Sequence, residues 1–306
     1  MEFMIYRGAP YKYDWIIDLV EDVGGFIISK SMQTTEVVII FAVPKEDVQK
    51  VEEMSGRIFG DLKSALLAGT EIIMVSPSYA RHHSPMPHCG IIQNFRENGA
   101  KVDSLAMARG VGLEICRMSA MEKSLIEEHD LAVFLFGSFE HCIKEYKLKM
   151  IEDLNMPIVV MAYPPMEVEK SNITYVDGLT RILMSFRKGD EQARLNKVTQ
   201  AVLETVKKIK EELKDDPLVV PPIYLKQEIE QQIPAIETCL SPAPVTLKLD
   251  SLRIKLPYET YADDIKNVHI LNNKTLTDAA EVSQSYTGQI LVKMQRESTA
   301  GSFFGE

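Results

Sequence analysis

A chain of 306 residues has room for about two domains of ordinary size. Its composition, 45% hydrophobic and 25% charged, is that of a globular protein, and its formal net charge of −10 argues against broad charge-driven binding to nucleic acid or to an anionic membrane. No run approaches the roughly 20 apolar residues of a membrane-spanning helix, and Met1–Gly8 lacks the basic-then-apolar order of a secretory signal, so the expected setting is the cytoplasm.

Residues 1–70 predict a small α+β unit. Phe3 to Tyr6 reads as a strand. Asp14 to Val23 reads as a helix with Trp15, Leu19, Val20 and Val23 on one face, ended by Gly24-Gly25. Phe26 to Ser29 and Val37 to Val43 predict a hairpin. Pro44 opens a helix over Lys45 to Met54 that is expected to resume over Asp61 to Leu67. The ferredoxin-like type suits this succession.

Residues 71–190 carry a βαβ rhythm. Strands are expected at Glu71 to Val75, Val102 to Ala106, Leu131 to Phe136 and Ile158 to Ala162. Between them lie helices from about Cys89 to Asn98, from Ala120 to Glu128, and from a Ser138 cap to about Asp153. Strands alternating with helices predict a parallel sheet covered on both faces. Ile173 to Val176 adds a weak strand and Leu179 to Phe186 a short helix. Residues 191–216 form an amphipathic helix, with Leu195, Val198, Val202, Val206, Ile209 and Leu213 at intervals of three and four. Residues 217–306 are rich in proline, with short strands near Val245 and Leu252. They read as an arm or small β-containing domain that either wraps a partner or packs on its own chain. The fold class is α/β, a parallel sheet of βαβ units with a small N-terminal α+β unit and an irregular C-terminal arm.

Chemistry-bearing side chains concentrate in two loops. Arg81 to Gly90 holds His82, His83, His88 and Cys89, half of the six histidines, between a strand and a helix. Gly137 to Cys142 ends in His141-Cys142 and also follows a strand. Both His-Cys pairs are expected at the carboxyl edge of the sheet, where open α/β sheets bind ligands. A cysteine in a first helical turn feels the positive end of the helix dipole, which favours the thiolate that a soft metal or iron–sulfur cluster needs. Cys116, after the Gly110-Val111-Gly112 loop, is a further candidate at that edge. The bland reading is a solvated loop and buried thiols. No CxxC pair, zinc module, GxSxG, HExxH or phosphate-cradling loop is present. Neither zinc-finger nor classical hydrolase chemistry, nor nucleotide binding, has motif support.

The succession Ser76-Pro77, Arg81, His83, Pro87, Cys89 and Arg96 resembles the core of the methyl-coenzyme M reductase operon protein C family. So do Leu131-Ala132-Val133 leading to Gly137, and Met156 to Val160 followed by Pro164 and Pro165. With its extra N-terminal unit and long C-terminal stretch, the whole chain is similar to the methanogenesis marker protein seven family, larger archaeal relatives of methane-metabolising organisms. The resemblance implies a non-enzymatic subunit of the assembly that activates methyl-coenzyme M reductase. Its partners would be the reductase, operon protein C and an ATPase subunit. Its cofactor would be an iron–sulfur cluster, shared with a partner subunit, that passes low-potential electrons to the nickel porphinoid. His83 and Cys89 match the family pattern. The second segment departs from it, with Cys142 where a histidine is expected and His141 just before. The cofactor-binding candidates are Cys89, Cys142, Cys116, His83, His88 and His141, with Cys89 and Cys142 as direct metal ligands. The competing readings are a small-molecule enzyme using the same edge and a cofactor-free scaffold.

Overall fold

The computed structural model describes residues 1–78, 88–107, 117–179, 188–271 and 274–300. They gather into two compact units, one made of the described residues among 1–69, 98–100 and 212–300, the other of those among 70–97 and 101–211.

The first unit begins with strand β1 (Glu2–Gly8), helix α1 (Asp14–Asp22) and the hairpin of β2 (Phe26–Met32) and β3 (Val37–Val43). Helix α2 (Val48–Arg57) then leads to β4 (Asp61–Ser64). All pairings are antiparallel in the order β2-β3-β1-β4, the βαββαβ arrangement of a ferredoxin-like unit. The helix expected over Asp61 to Leu67 is therefore overturned by β4. Phe59 turns through a left-handed conformation (φ 58°), and the chain then lies along the open edge of β1, Asp61 opposite Arg7 and Ser64 opposite Met4. Pairing with that edge satisfies backbone groups that an isolated helical turn leaves bare, and the exposed Asp61 and Lys63 suit an edge strand.

The second unit is the parallel sheet. Its elements are β5 (Glu71–Ser76), α3 (His88–Glu97), β6 (Lys101–Ala106), α4 (Ala120–Glu127) and β7 (Leu131–Gly137). A helix follows in three pieces, α5 (Glu140–Cys142), a π-helical turn (Ile143–Lys147) and α6 (Leu148–Met150). Then come β8 (Ile158–Ala162), β9 (Ile173–Val176) and the long helix α7 (Lys188–Asp215), whose residues from 212 on count with the first unit. The sheet order is β6-β5-β7-β8-β9, with every pairing parallel. All seven residues of β7 are buried, as a strand covered on both faces requires. Ile73, Val75, Phe134 and Val160 share a core with Ile126 of α4 and with Ile143 and Met150 of the three-piece helix. Right-handed crossovers then put α3 on the opposite face. There α7, whose Val198, Val202 and Val206 are buried, bonds α3 through Thr199 Oγ1 to Asn94 Oδ1 at 2.5 Å. Ser119 begins α4 with a capping box: its Oγ accepts from Glu122 N at 3.2 Å while the Glu122 carboxylate accepts from Ser119 N at 2.8 Å.

Two helix expectations change. Ser138 is not a cap; Phe139 holds that position without a side-chain bond, because the left-handed Gly137 (φ 82°) carries the chain on before it coils. That helix ends at Met150, not near Asp153. The helix expected over Leu179 to Phe186 lies, from residue 180 on, outside the described residues. Among the described residues no helix is long and apolar enough to cross a membrane.

The C-terminal stretch belongs to the first unit. Helix α8 (Pro222–Gln232) precedes strands β10 (Val245–Leu247) and β11 (Ser251–Ile254), and helices α9 (Tyr258–Lys266) and α10 (Leu276–Ala279) precede β12 (Ala280–Gln284) and β13 (Ile290–Met294). These strands form a second antiparallel sheet, β10-β11-β13-β12. Its Leu252, Ile254, Ile290 and Val292, with Leu225 and Ile229 of α8, share one core with Ile5, Ile28 and Ala42 of the N-terminal sheet. Of the two alternatives for this stretch, packing on its own chain is the one seen.

Alternate residues of β1 face opposite ways. Met4 and Tyr6 pack with Ile16 and Val20 of α1, Val51 of α2 and Phe41 of β3. Glycines close over the Tyr6 ring: a Cβ on Gly60 would lie 2.1 Å from Tyr6 Cε2, and one on Gly8 would lie 2.1 Å from Tyr6 Oη. The buried Tyr6 hydroxyl has no hydrogen-bond partner among the described residues, and an unpaired buried hydroxyl costs about 1–3 kcal/mol. Tyr6→Phe is therefore expected to raise the urea unfolding midpoint, by about 1 kcal/mol in stability. A lower midpoint would mean that the hydroxyl is bonded in solution.

Candidate functional site

All five strands of the parallel sheet end on one side. From β5 the chain steps outward to β6, returns past β5 to β7, and then continues the other way through β8 and β9. Strand order reverses between β5 and β7, and the loops leaving their carboxyl ends part there. A crevice outside such a switch point is where open α/β sheets hold ligands. Both His-Cys pairs lie at it: His88-Cys89 opens α3 after β5, and His141-Cys142 lies in α5 after β7. Because α3 and α5 cover opposite faces, the two pairs approach the switch point from two sides.

The first pair is fixed by its histidine. His88 Nε2 lies 2.5 Å from the hydroxyl of Ser76, the buried last residue of β5. This bond ties the start of α3 back to the strand that precedes it. Burial pushes the His88 imidazolium down from its ordinary range, so the neutral ring is favoured. Cys89, next along, is exposed.

The second pair rests on a buried lysine. Between β7 and β8 the register slips, leaving Phe136 as the extra residue of a bulge. Lys147, fully buried in the π-helical turn, donates its ammonium to the Phe136 carbonyl and sits 5.7 Å from the Phe136 ring centroid. The bulge and the left-handed Gly137 re-aim the chain into the loop that starts α5. Gly137 O accepts from Tyr163 N at 2.9 Å, which holds the loop to the end of β8. Cys142 is half-buried and His141 exposed, its ring edge-on to Tyr146. Phe139 and Tyr163 are exposed along the same edge. Tyr175 donates to Pro164 O at 2.9 Å; burial, then the charges of Asp177 and Glu140, push its hydroxyl above the ordinary phenol range.

The structure thus brings Cys89, His88, Cys142 and His141 to one edge. Among the described residues no three metal-competent atoms converge there. Cys116 and His83 lie outside the described residues. Cys239 is in the other unit, its thiol 3.8 Å from Lys255 O, as a structural residue would be. The three described cysteines are free thiols. Reasoning from sequence missed Lys147, and it gave Ser76 only as part of the family-like succession, with no role. Lys147 follows Ile143 by four residues, so a lysine on an apolar helix face was the signal available.

The family model for methyl-coenzyme M reductase operon protein C matches residues 1–268. An uncharacterized protein of Methanocaldococcus jannaschii is 38% identical over 300 residues, which cover 97% of this chain and 94% of that protein. Glutamyl-tRNA reductase from Methanopyrus kandleri aligns with 78% of this chain and 86% of its own at 10% identity and a TM-score of 0.21, a likeness that carries no argument.

The depressed His88 has a consequence for stability. A folded-state pKa below the unfolded value near 6.5 means that the folded chain binds fewer protons. The corresponding stability is present above that unfolded value and is lost as pH falls below it toward the folded one. Between pH 7.5 and 5.5 the unfolding midpoint of the native chain should fall more than that of His88→Asn. Parallel pH profiles would show that His88 titrates as it does in the unfolded chain.

Proposed function

The chain belongs to the methyl-coenzyme M reductase operon protein C family, and from that premise we propose that it is a non-enzymatic subunit of the assembly that activates the reductase. In this reading Cys89 and Cys142 are ligands of an iron–sulfur cluster at the switch-point crevice. The observation that carries it is the placement of two His-Cys pairs after adjacent parallel strands, on either side of the point where strand order reverses.

The donor set fits a cluster in kind. Free thiols suit iron–sulfur centres, and neighbouring imidazoles can replace thiolate at some irons. It is short in number. Two described cysteines, with Cys116 as a third candidate, are fewer than the four thiolates of a standard site, so a partner subunit completes it. The exposed thiol of Cys89 and the exposed Phe139 and Tyr163 favour a site that closes against another protein. When bound, the cluster supplies one-electron transfer at low potential. The chain's own residues orient the ligands: Ser76 through His88 for the first, Lys147 through the Phe136 bulge for the second. ATP hydrolysis falls to a separate ATPase subunit, and the nickel porphinoid of the reductase receives the electrons.

The test is anaerobic co-purification of the chain with its assembly, comparing the native protein with Cys89→Ala/Cys142→Ala. The double variant should fold, as judged by circular dichroism, yet lose most of its iron and its support of reductase activation. Native iron content and activation in a folded double variant would make both thiols structural and sink the assignment.

A further inference from the structure

A second group of ligating side chains lies at the opposite, amino-terminal edge of the same sheet. Glu71 opens β5, Asp103 is the third residue of β6, and His129 precedes β7. One donor atom from each lies within 4.8 Å of the others. The Glu71 side chain belongs to a fully buried residue, and the His129 side chain is 3% exposed. Asp103 is open enough, at 44%, for solvent to reach the group.

The hydrogen bonds define what each atom offers. His129 Nδ1 lies 3.0 Å from Leu125 O. A carbonyl only accepts, so Nδ1 carries a proton, and in the neutral ring Nε2 presents a lone pair. That lone pair faces Asp103 Oδ2 at 3.5 Å, the outer limit of a hydrogen bond. A ring nitrogen whose partner nitrogen donates to a backbone carbonyl is the arrangement that orients metal-binding histidines. The backbone beneath is pinned: Glu71 N donates to Asp130 Oδ2 at 2.8 Å, and Asp130 N returns a bond to Glu71 O at 3.0 Å. Lys101 engages the other oxygen of Asp103 at 2.5 Å and leaves Oδ2 turned to the imidazole. Two acceptors that face each other are reconciled by a positive charge between them. Either a second proton on His129 or a metal ion provides it.

We propose that Glu71, Asp103 and His129 form a divalent metal site, distinct from the His-Cys edge. One imidazole and two carboxylates suit borderline to hard ions such as Zn²⁺, Mn²⁺ or Fe²⁺, whereas the thiol-bearing edge suits soft centres. Glu71 and Asp103 stand on strands of the sheet and His129 just before one, which gives the site a stiff frame. Two neighbouring lysines bear on the choice between ion and proton. Lys101 neutralises part of Asp103, and Lys210, whose ammonium burial pushes down while the charge of Asp130 holds it up, lies close enough to feel that carboxylate. Lys101 is bonded to Asp103 Oδ1, and it is Oδ2 that faces the imidazole.

Mn²⁺ is the probe, because a hard ion avoids the thiols at the other edge. Full-length chain is stripped with EDTA and titrated with Mn²⁺, following loss of the free-ion electron paramagnetic resonance signal. One ion per chain should bind, equally in the native chain and in Cys89→Ala/Cys142→Ala. Binding should weaken at least about ten-fold in Asp103→Asn and in His129→Gln. Bound Mn²⁺ should show ¹⁴N coupling from an imidazole, absent in His129→Gln. Asp103 is half-exposed, so Asp103→Asn keeps the test decisive if His129→Gln does not fold. No saturable binding, binding unchanged in Asp103→Asn, or no ¹⁴N coupling would overturn the site and leave an imidazolium–carboxylate network.

Discussion

In a parallel sheet every strand ends on the same side, and the rest of this molecule's chemistry follows from that constraint. Residues far apart in sequence but alike in position, just after a strand, arrive at one edge without any local motif. Right-handed crossovers then require α3 to leave on one face and α5 on the other, because β6 and β8 lie on opposite sides of the β5–β7 pair. The switch point is therefore a geometric result of strand order. His88-Cys89 and His141-Cys142 need only follow β5 and β7 to flank it.

What the constraint does not supply is aim, and two polar contacts supply it. The Ser76–His88 bond draws the start of α3 onto the end of β5. The Lys147 ammonium accepts a severe loss of hydration to satisfy the carbonyl that the β7 bulge strands. A buried ammonium is costly unless well bonded, so an apolar strand and an apolar helix face would be expected to exclude it. Its retention beside a bulge and a π-helical turn marks a place where the backbone departs from regular geometry for the sake of the loop it feeds. The two edges of the sheet differ in chemistry as well. Thiols and imidazoles gather where the strands end, while carboxylates and a buried imidazole gather where they begin.

Much of this was legible in the sequence. Apolar strands such as Leu131 to Phe136, alternating with helices, are sufficient to predict a parallel sheet, because only burial on both faces tolerates so continuous an apolar run. Two His-Cys pairs after such strands predict a shared edge. Strand order was not legible, since periodicity carries no information about which neighbour a strand chooses. Residues 61–64 were misread because a short charged segment looks alike as a helix end or an edge strand, and only the open edge of β1 decides. The Glu71, Asp103 and His129 group escaped for a different reason. Its members are single residues on three elements, with no repeat or spacing to connect them until the sheet sets them side by side. The shared core of residues near Ile5 and Leu252 likewise depends on a contact between the two ends of the chain.

Cys89 gives the most direct test of the central claim, because its thiol is exposed in the isolated chain. The rate of alkylation by iodoacetamide is measured at each cysteine, under anaerobic conditions, in the intact assembly before and after iron is removed by a chelator that leaves the assembly together. The account predicts that Cys89 and Cys142 resist alkylation until iron is withdrawn and then react, while Cys239 keeps the same rate throughout. Equal alkylation of Cys89 and Cys142 with and without iron would contradict it, for neither sulfur would then be held by a cluster.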